Sequence, residues 1–418
     1  IIVSAEESLR GRHERTEMKY LVLLADGMAD YPLDELGGNS PLQAAQTPYM
    51  DRLAREGAGG RLKTIPRGMT PGSDVANLSI LGYDPGKCYS GRGPLEAASL
   101  GIELEEDELA FRCNLVTVAE NRMIDYSAGH ICTEESRAFI ELLESKLGGQ
   151  GIRFYPGISY RHILVVKEQL LEVGRGKLKT TPPHDITGKN LEGNMPRGAG
   201  GEFLINLMTE SRIILKDHEI NEIRIDLGEN PATMIWPWGE GKRPHLSLFS
   251  EKFGINGALI TAVDLLKGIA LLSGLEFIEV PGATGYFDTD YRAKGAAARQ
   301  ALEKYDLVYL HVEAPDEAGH AGNITEKIRA LEEIDEKILG QFRDIRDAFP
   351  EIRIAVLPDH ATPIQVRTHT SDPVPFIIWG EGIEPDAISS FSEEECGKGR
   401  YRTRAGYKFM PLLLRGDE

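Results

Sequence analysis

"DLVYLHVEAPDEAGHAG", residues 306–322, sets the architecture of this chain. Its first part, 306–316, is a compact apolar run and predicts a buried strand. "NITEKIRALEEIDEKILGQFRDIRDAF" (323–349) then has apolar residues at helical spacing and predicts one long amphipathic helix. "IRIAVLPDH" (352–360) predicts a second buried strand. A strand, a helix and a strand in this order indicate an open, mainly parallel sheet.

Predicted strands and helices of the same kind lie on both sides of a middle region with a different composition. "YLVLLADG" (20–27) and "VPFIIWG" (374–380) predict further buried strands, and "TPYMDRLAREG" (47–57) predicts a helix. Between about 90 and 250 the chain is rich in Gly and Pro, with strand-like runs at "HILVVK" (162–167) and "EIRIDLG" (222–228). We therefore expect a core split by an inserted domain, with these limits: 1–17 an N-terminal extension, 18–90 and 250–418 the core, and 91–249 the insert.

Composition narrows the class of partner. The 418 residues carry a formal net charge of -18 and are 41% apolar. This charge argues against nucleic acid or an anionic membrane as the main partner, because both require a basic surface. The four cysteines show no CxxC and predict free thiols in a reducing compartment. No signal-like or membrane-spanning run is found, so the expectation is a cytoplasmic protein.

Three predicted core strands end close to an aspartate: Asp26, Asp316 and Asp359. Ligands of open α/β sheets gather at the carboxyl ends of the strands, so the three carboxylates are expected to converge. Taken singly, each is better interpreted as the N-cap of the following helix.

Histidines beside these aspartates favour a metal site. His320 follows Asp316 by four residues, His360 is adjacent to Asp359, and His369 lies nine residues further on. Carboxylates with imidazoles and no thiolate suit Mn²⁺, Zn²⁺, Mg²⁺ or Fe²⁺. The number of ligands is sufficient for two ions.

"TPGSDVANLSILGYDPG" (70–86) poses a question about Ser73, which is either a nucleophile or the cap of the next helix. The GxSxG elbow of serine hydrolases is absent. A two-metal centre binds phosphoryl oxygens and lowers the pKa of a coordinated hydroxyl, so it would activate Ser73 without a neighbouring base.

The motifs LADGMAD, GSDVANLSILGYDP, GRGPLEA, APDEAGHAG, LPDHATP and HTSDPVPF, in this order, resemble those of the archaeal-type cofactor-independent phosphoglycerate mutases of the alkaline phosphatase superfamily. The resemblance implies an alkaline-phosphatase-like α/β core with a mainly parallel sheet, interrupted by an inserted smaller α+β domain. It implies that Ser73 becomes phosphorylated. It also implies two ligand sets: Asp316, His320 and His369 for one ion, and Asp26, Ser73, Asp359 and His360 for the other.

The candidates for binding the substrate are basic residues. The resemblance suggests that His130 and Arg161 of the insert face the substrate, and Lys267 is the basic residue expected from the core. Arginine suits this task because its planar fork matches phosphate and carboxylate. His184 and Asp185 either act in proton transfer or shape a loop, and the sequence leaves this open.

The predicted function is an isomerase that interconverts 3-phosphoglycerate and 2-phosphoglycerate through phosphoserine, in glycolysis and gluconeogenesis, without bisphosphoglycerate. Two divalent ions are expected, with Mn²⁺ first and Zn²⁺ or Mg²⁺ as alternatives. The partner is a small phosphorylated metabolite, with homo-oligomerisation possible. Two rivals remain: a metal-dependent phosphatase or homoserine-kinase-like phosphotransferase, and a non-catalytic protein whose metal cluster is structural.

Overall fold

The computed structural model describes residues 18–171 and 177–416. Within them the backbone forms two compact units. The first unit contains residues 18–87, 247–266 and 273–416, and the second contains 88–171, 177–246 and 267–272. Lys267, expected from the core, thus belongs to the second unit. The predicted extension, 1–17, lies outside the described residues, and the predicted domain limits stay predictions.

The strands of the described residues are numbered in chain order. They are β1 Lys19–Ala25, β2 Ala58–Lys63, β3 Glu108–Ala119, β4 Arg122–Asp125, β5 Ile152–Ile158, β6 Arg161–Lys167, β7 Met234–Gly241, β8 Gly257–Ile260, β9 Glu276–Ile278, β10 Leu307–Val312, β11 Ile352–Leu357, β12 Val374–Gly380 and β13 Thr403–Ala405.

The α-helices of the same residues are numbered likewise. They are α1 Pro41–Ala44, α2 Pro48–Glu56, α3 Ser73–Ile80, α4 Pro85–Cys88, α5 Gly93–Ser99, α6 Thr133–Leu147, α7 Gly201–Lys216, α8 Glu219–Asp226, α9 Phe249–Phe253, α10 Asp264–Ser273, α11 Tyr291–Lys304, α12 Ala314–Ala321, α13 Ile324–Glu333, α14 Ile345–Ala348, α15 Glu393–Cys396 and α16 Phe409–Arg415. Short 3₁₀ turns occur at Asp34–Leu36, Glu168–Leu171, Pro183–Ile186, Leu339–Phe342 and Gly406–Lys408. In the part of the chain that is described, no helix is long and apolar enough to cross a membrane.

The first unit is built on an eight-stranded sheet in the order β13-β2-β12-β11-β1-β10-β8-β9. Strand β1 lies between β10 and β11 and is parallel to both. All seven of its residues are buried, as is typical of a parallel strand covered on both faces. Only β12 runs antiparallel to its neighbours β11 and β2. The predicted α/β class with a mainly parallel sheet is therefore confirmed.

The register of the central strands aligns their carboxyl ends. Ala25 pairs with Val312, and Leu24 pairs with Leu357. The residues that follow these three strands therefore emerge side by side at one edge of the sheet. Asp26 is the residue immediately after Ala25.

The second unit is α+β. Its five-stranded sheet has the order β4-β3-β6-β5, with β7 also paired to β3, and the pairings are antiparallel. Helices α6 and α7 contribute Phe139 and Leu204 to one buried cluster with Phe111, Leu164 and Trp236. The strand-like run predicted at 162–167 lies within β6.

The run at 222–228 was wrongly predicted as a strand, because it lies in helix α8 and the turn after it. Its alternating apolar residues do not face a core: Ile223, Ile225 and Leu227 are exposed. The helix begins after His218, whose Nδ1 accepts the Ile220 N–H. This local cap, together with the tertiary hydrogen bond from the buried Arg224 to the Ala128 carbonyl, overrides the apparent period of two.

The predicted long helix over 323–349 is interrupted. It ends as α13 at Glu333 and continues as a π-turn, Ile334–Ile338, and a 3₁₀ turn before α14. At the π-turn the buried Asp335 carboxylate accepts the backbone N–H groups of Tyr49 and Met50 in the first turn of α2. A carboxylate at a helix N-terminus is favourable, and the wider turn accompanies that contact.

Candidate metal centre

Ser73 is the first residue of helix α3, and its side chain does not cap that helix. The N-cap position is Gly72, and no side-chain cap bond is made. Instead the Ser73 hydroxyl oxygen lies 3.1 Å from His360 Nε2 and 3.4 Å from Asp26 Oδ2. Ser73 is buried, with 8% of its surface exposed. Of the two readings of Ser73, the structure excludes the helix cap.

Asn77, one helical turn further along α3, fixes Ser73 relative to a neighbouring carboxylate. Its Nδ2 group donates to the Ser73 carbonyl at 2.8 Å and to Asp359 Oδ2 at 3.0 Å. Its Oδ1 accepts from the buried Tyr309 hydroxyl at 2.6 Å. Asn77 was not selected from the sequence, although its spacing of four from Ser73 places both on one face of the helix.

The first predicted ligand group contains Asp316, His320 and His369. Asp316 and His320 are one turn apart on α12, with 3.1 Å between Asp316 Oδ2 and His320 Nε2. His369 Nε2 is 2.9 Å from His320 Nε2 and 3.6 Å from Asp316 Oδ1. Burial opposes ionisation of Asp316, but the nearby imidazoles of His320 and His369 hold its pKa well below the usual range. The neighbouring Asp316 carboxylate outweighs burial at His320 and raises its pKa to about 9.

The second group contains Asp26, Asp359 and His360, with Ser73 beside them. His360 Nε2 is 3.5 Å from Asp26 Oδ1 and 3.4 Å from Asp359 Oδ2. All three side chains are fully buried, and burial lowers the pKa of His360 to about 4. The His360 ring also stacks on His369 with 4.0 Å between ring centroids, so the two groups adjoin.

The residues present fit divalent cations. Asp26 Oδ1 is buried and has no hydrogen-bond partner among the described residues. Burial, together with the Asp359 charge, raises the pKa of Asp26 well above its usual value. Ligand atoms of Asp26, Asp359 and His360 lie within 4.8 Å of one another, as do those of Asp316, His360 and His369. Buried carboxylates with imidazoles and no thiolate are the donor set that such ions take.

His311 and Glu313 adjoin the centre and were not selected from the sequence. His311 Nε2 lies 2.8 Å from Asp26 Oδ2 and 3.5 Å from Glu313 Oε2. Burial raises the pKa of Glu313 to about 8. The signal that would have found His311 is its place near the end of β10, the strand next to β1.

The predicted substrate residues lie in the second unit. His130 follows β4, and its ring lies 6.3 Å from Tyr126 and 5.9 Å from Tyr160, measured between centroids. Arg161 begins β6 and pairs with Asn114 of β3. Lys267 lies on α10. Their roles stay predictions.

Two features near these residues were left open or missed by the sequence analysis. His184 sits on a 3₁₀ turn, and its ring is 5.3 Å from Trp238 and 6.2 Å from Tyr126. Arg112 lies over Trp238 at 4.6 Å from the ring centroid. Burial and the charges of nearby arginines, Arg161 among them, lower the pKa of Arg112 to about 10.

A buried serine between carboxylate and imidazole groups that suit divalent cations, at the carboxyl edge of a parallel sheet, is typical of enzymes that transfer phosphoryl groups. Comparison with known proteins gives the family. The sequence profile of the 2,3-bisphosphoglycerate-independent phosphoglycerate mutases matches residues 54–221.

Relatives match over nearly the whole chain. The 2,3-bisphosphoglycerate-independent phosphoglycerate mutase 2 of Methanothermobacter thermautotrophicus is 52% identical over 95% of this chain and 97% of its own. The probable enzyme of Geobacter sulfurreducens is 48% identical over 95% of this chain and all of its own. The chain therefore belongs to the family of 2,3-bisphosphoglycerate-independent phosphoglycerate mutases.

Solved structures agree with this fold. A protein from Pyrococcus horikoshii aligns with a TM-score of 0.80 at 31% identity, covering 96% of this chain and 98% of its own. The cofactor-independent phosphoglycerate mutase of Thermoplasma acidophilum aligns with a TM-score of 0.65 at 27% identity, covering 95% and 99%. The resemblance drawn from the ordered motifs is confirmed.

Proposed function

We propose that this protein interconverts 3-phosphoglycerate and 2-phosphoglycerate without 2,3-bisphosphoglycerate, and that Ser73 carries the phosphoryl group between the two positions. The observation that supports this most directly is the buried Ser73 hydroxyl at the junction of Asp26 and His360, in a chain of this family. The reaction is an isomerisation, because the phosphoryl group leaves one hydroxyl of glycerate and returns to the other.

Two ligand sets are proposed for divalent ions, Mn²⁺ first and Zn²⁺ or Mg²⁺ as alternatives. One set is Asp316, His320 and His369, and the other is Asp26, Ser73, Asp359 and His360. When bound, such ions neutralise phosphoryl oxygens and lower the pKa of the serine hydroxyl.

Neighbouring side chains hold Ser73 in a fixed position. Asn77 holds the Ser73 carbonyl and Asp359 together through one amide group, so the hydroxyl and the carboxylate keep a fixed separation. The neutral His360 ring presents Nε2 toward the hydroxyl. Fixed geometry of this kind lowers the barrier by removing the cost of orienting the reacting groups.

His130, Arg161 and Lys267 are proposed to bind the substrate. The second unit supports this assignment for His130 and Arg161, because arginine, histidine and tyrosine side chains gather there around Tyr160. Arginine matches the two oxygens of a carboxylate or phosphate. A mutase must also keep water from the phosphoserine, since hydrolysis would turn it into a phosphatase. Cytoplasmic location and self-association stay predictions.

The test is a coupled enolase assay on the Mn²⁺-loaded protein, with 3-phosphoglycerate and no bisphosphoglycerate, run beside a phosphate-release assay. We expect 2-phosphoglycerate with little free phosphate. Phosphate release alone, or no turnover with any of the three metals, would contradict the mutase assignment and favour another acceptor.

Ser73→Ala tests the phosphoserine role. The variant should lose turnover while its metal content and melting temperature change little, because the hydroxyl is one of several donors. Ser79→Ala is the matched control: Ser79 lies on the same helix, is also buried, and its hydroxyl has no hydrogen-bond partner among the described residues. It should keep its activity. Turnover that survives in Ser73→Ala would refute the phosphoserine mechanism.

A further inference from the structure

Thr362 is a fully buried residue in the loop after β11, two residues beyond His360. Its hydroxyl oxygen hydrogen-bonds Asp316 Oδ1 and lies 3.2 Å from His360 Nδ1. Asp316 belongs to one proposed ligand set and His360 to the other. One hydroxyl group therefore contacts a ligand from each set.

The number of protons that each group can donate determines the direction of these hydrogen bonds. An ionised carboxylate only accepts hydrogen bonds, and a hydroxyl has one proton to donate. The Thr362 hydroxyl donates this proton to Asp316 Oδ1. The Thr362 oxygen must then accept from His360, which requires the proton of the neutral imidazole to be on Nδ1. If the Thr362 hydroxyl instead donated its proton to His360 Nδ1, a lone pair of its oxygen would face a lone pair of Asp316 Oδ1, which is repulsive.

We propose that Thr362 is a positioning residue for both ligand sets. It keeps the His360 proton on Nδ1, leaving the Nε2 lone pair beside Ser73, and it orients the Asp316 carboxylate through the same hydroxyl. The inference rests on the proposed metal-dependent function. It adds a residue outside the ligand sets, and it predicts that disturbing one hydroxyl weakens both ion sites.

The surroundings of Thr362 hold its hydroxyl in place. The buried Lys327 donates to the Thr362 carbonyl at 2.8 Å and to Asp30 Oδ2 at 2.6 Å. A side chain at Gly319 would place its Cβ 2.3 Å from the Thr362 carbonyl oxygen, and one at Gly27 would place its Cβ 2.7 Å from the hydroxyl. The glycine backbones at both positions therefore approach the Thr362 carbonyl and hydroxyl closely, and a side chain at either position would collide with them.

The role of Thr362 resembles that of groups around other metal sites, where a partner on the non-ligating nitrogen of a histidine sets its tautomer. Loss of such partners typically weakens metal binding 10- to 100-fold. Here the partner also binds a carboxylate ligand, so the loss should be shared by two sites.

The experiment compares Thr362→Val with Thr362→Ser. Valine keeps the shape and removes the hydroxyl, whereas serine keeps the hydroxyl. Mn²⁺ binding to the metal-free full chain is measured by titration calorimetry, and the absorption spectrum of the Co²⁺-loaded protein is recorded. We expect valine to weaken Mn²⁺ binding at both sites by about 10- to 100-fold and to change the Co²⁺ spectrum, while serine stays close to wild type.

Two outcomes would overturn the proposal. One is a valine variant that binds Mn²⁺ like wild type, even with a lower melting temperature, because the role would then be structural only. The other is a serine variant that loses binding as much as valine does. If valine prevents folding, Thr362→Ala removes the same hydroxyl without added bulk and is judged by the same criteria. Failure of the proposed function is distinguishable, since wild type itself would then bind no pair of ions or fail to isomerise phosphoglycerate.

Discussion

Replacement of Lys327 by Met should destabilise the first unit strongly. Lys327 is fully buried on α13, and its ammonium donates to Asp30 Oδ2 and to the Thr362 carbonyl. Asp30 in turn accepts the Ile364 N–H at 3.1 Å and the Tyr31 N–H at 2.8 Å. Methionine fills the space of the lysine stem but leaves the Asp30 carboxylate buried without its cation.

The magnitude follows from that unpaired charge. Breaking a buried ion pair by removing one partner typically costs about 3–5 kcal/mol of unfolding free energy. In the double variant Asp30→Asn/Lys327→Met no charge remains, and the Asn oxygen can still accept the Ile364 N–H. Residues in one hydrogen-bond network usually couple by about 0.5–3 kcal/mol. We therefore expect the double variant to be more stable than Lys327→Met alone, by about 2 kcal/mol.

The assay is reversible urea unfolding, followed by circular dichroism in the presence of a chelator so that bound cations do not contribute. Wild type, both single variants and the double variant complete the cycle. If Lys327→Met costs less than about 1 kcal/mol, which is the scale of an exposed pair, or if the double variant is no more stable than the single one, the reasoning from the buried pair is refuted.

Two further predictions concern buried histidines. The fully buried His311 has Nδ1 3.1 Å from the Thr261 hydroxyl, which accepts the Val263 N–H, so Nε2 carries the proton donated to Asp26. His311→Leu should weaken Mn²⁺ binding about 10- to 100-fold in calorimetry and His311→Gln, which keeps a donor, much less; equal affinity of the leucine variant and wild type would contradict this. Burial lowers the pKa of His162 to about 3 in the folded protein. Between pH 6.5 and 3 this histidine is therefore protonated in the unfolded chain but not in the folded one, so the free energy of unfolding falls as the pH falls. The wild type should lose about 2 kcal/mol more between pH 7 and 5 than His162→Asn, which keeps an acceptor for the Gly157 N–H; parallel pH profiles in urea unfolding would show that His162 does not titrate this way.

The sequence predicted well what local patterns encode. Buried parallel strands are continuous apolar runs, so β1, β10 and β11 were recognisable, and the strand-end aspartates followed from their positions. The ligand sets were predicted from the resemblance of the ordered motifs to a known family. A family's motifs reflect which residues come together in the folded protein, and local sequence patterns do not contain that information.

The failures have a common physical cause, which is that tertiary contacts decide them. The break after Glu333 depends on Asp335 reaching the start of α2, and no local pattern shows that contact. Asn77, His311 and Thr362 act through partners distant in the chain, such as Tyr309 for Asn77. The sequence around these residues does not identify their partners, because the partners lie beside them only in the folded sheet.

The order of strands in the central sheet has a consequence for synthesis on the ribosome. Asp359 accepts the Gly27 N–H across 332 residues of sequence. At about 5–20 residues per second, β1 leaves the ribosome on the order of half a minute before β11. For most of that interval, until β10 has been made, β1 lacks both of its native neighbours, although it is an apolar strand that is buried in the finished sheet. The nascent chain must therefore keep this segment from pairing with other chains, and the proposed ligand sets are complete only once synthesis has passed His369.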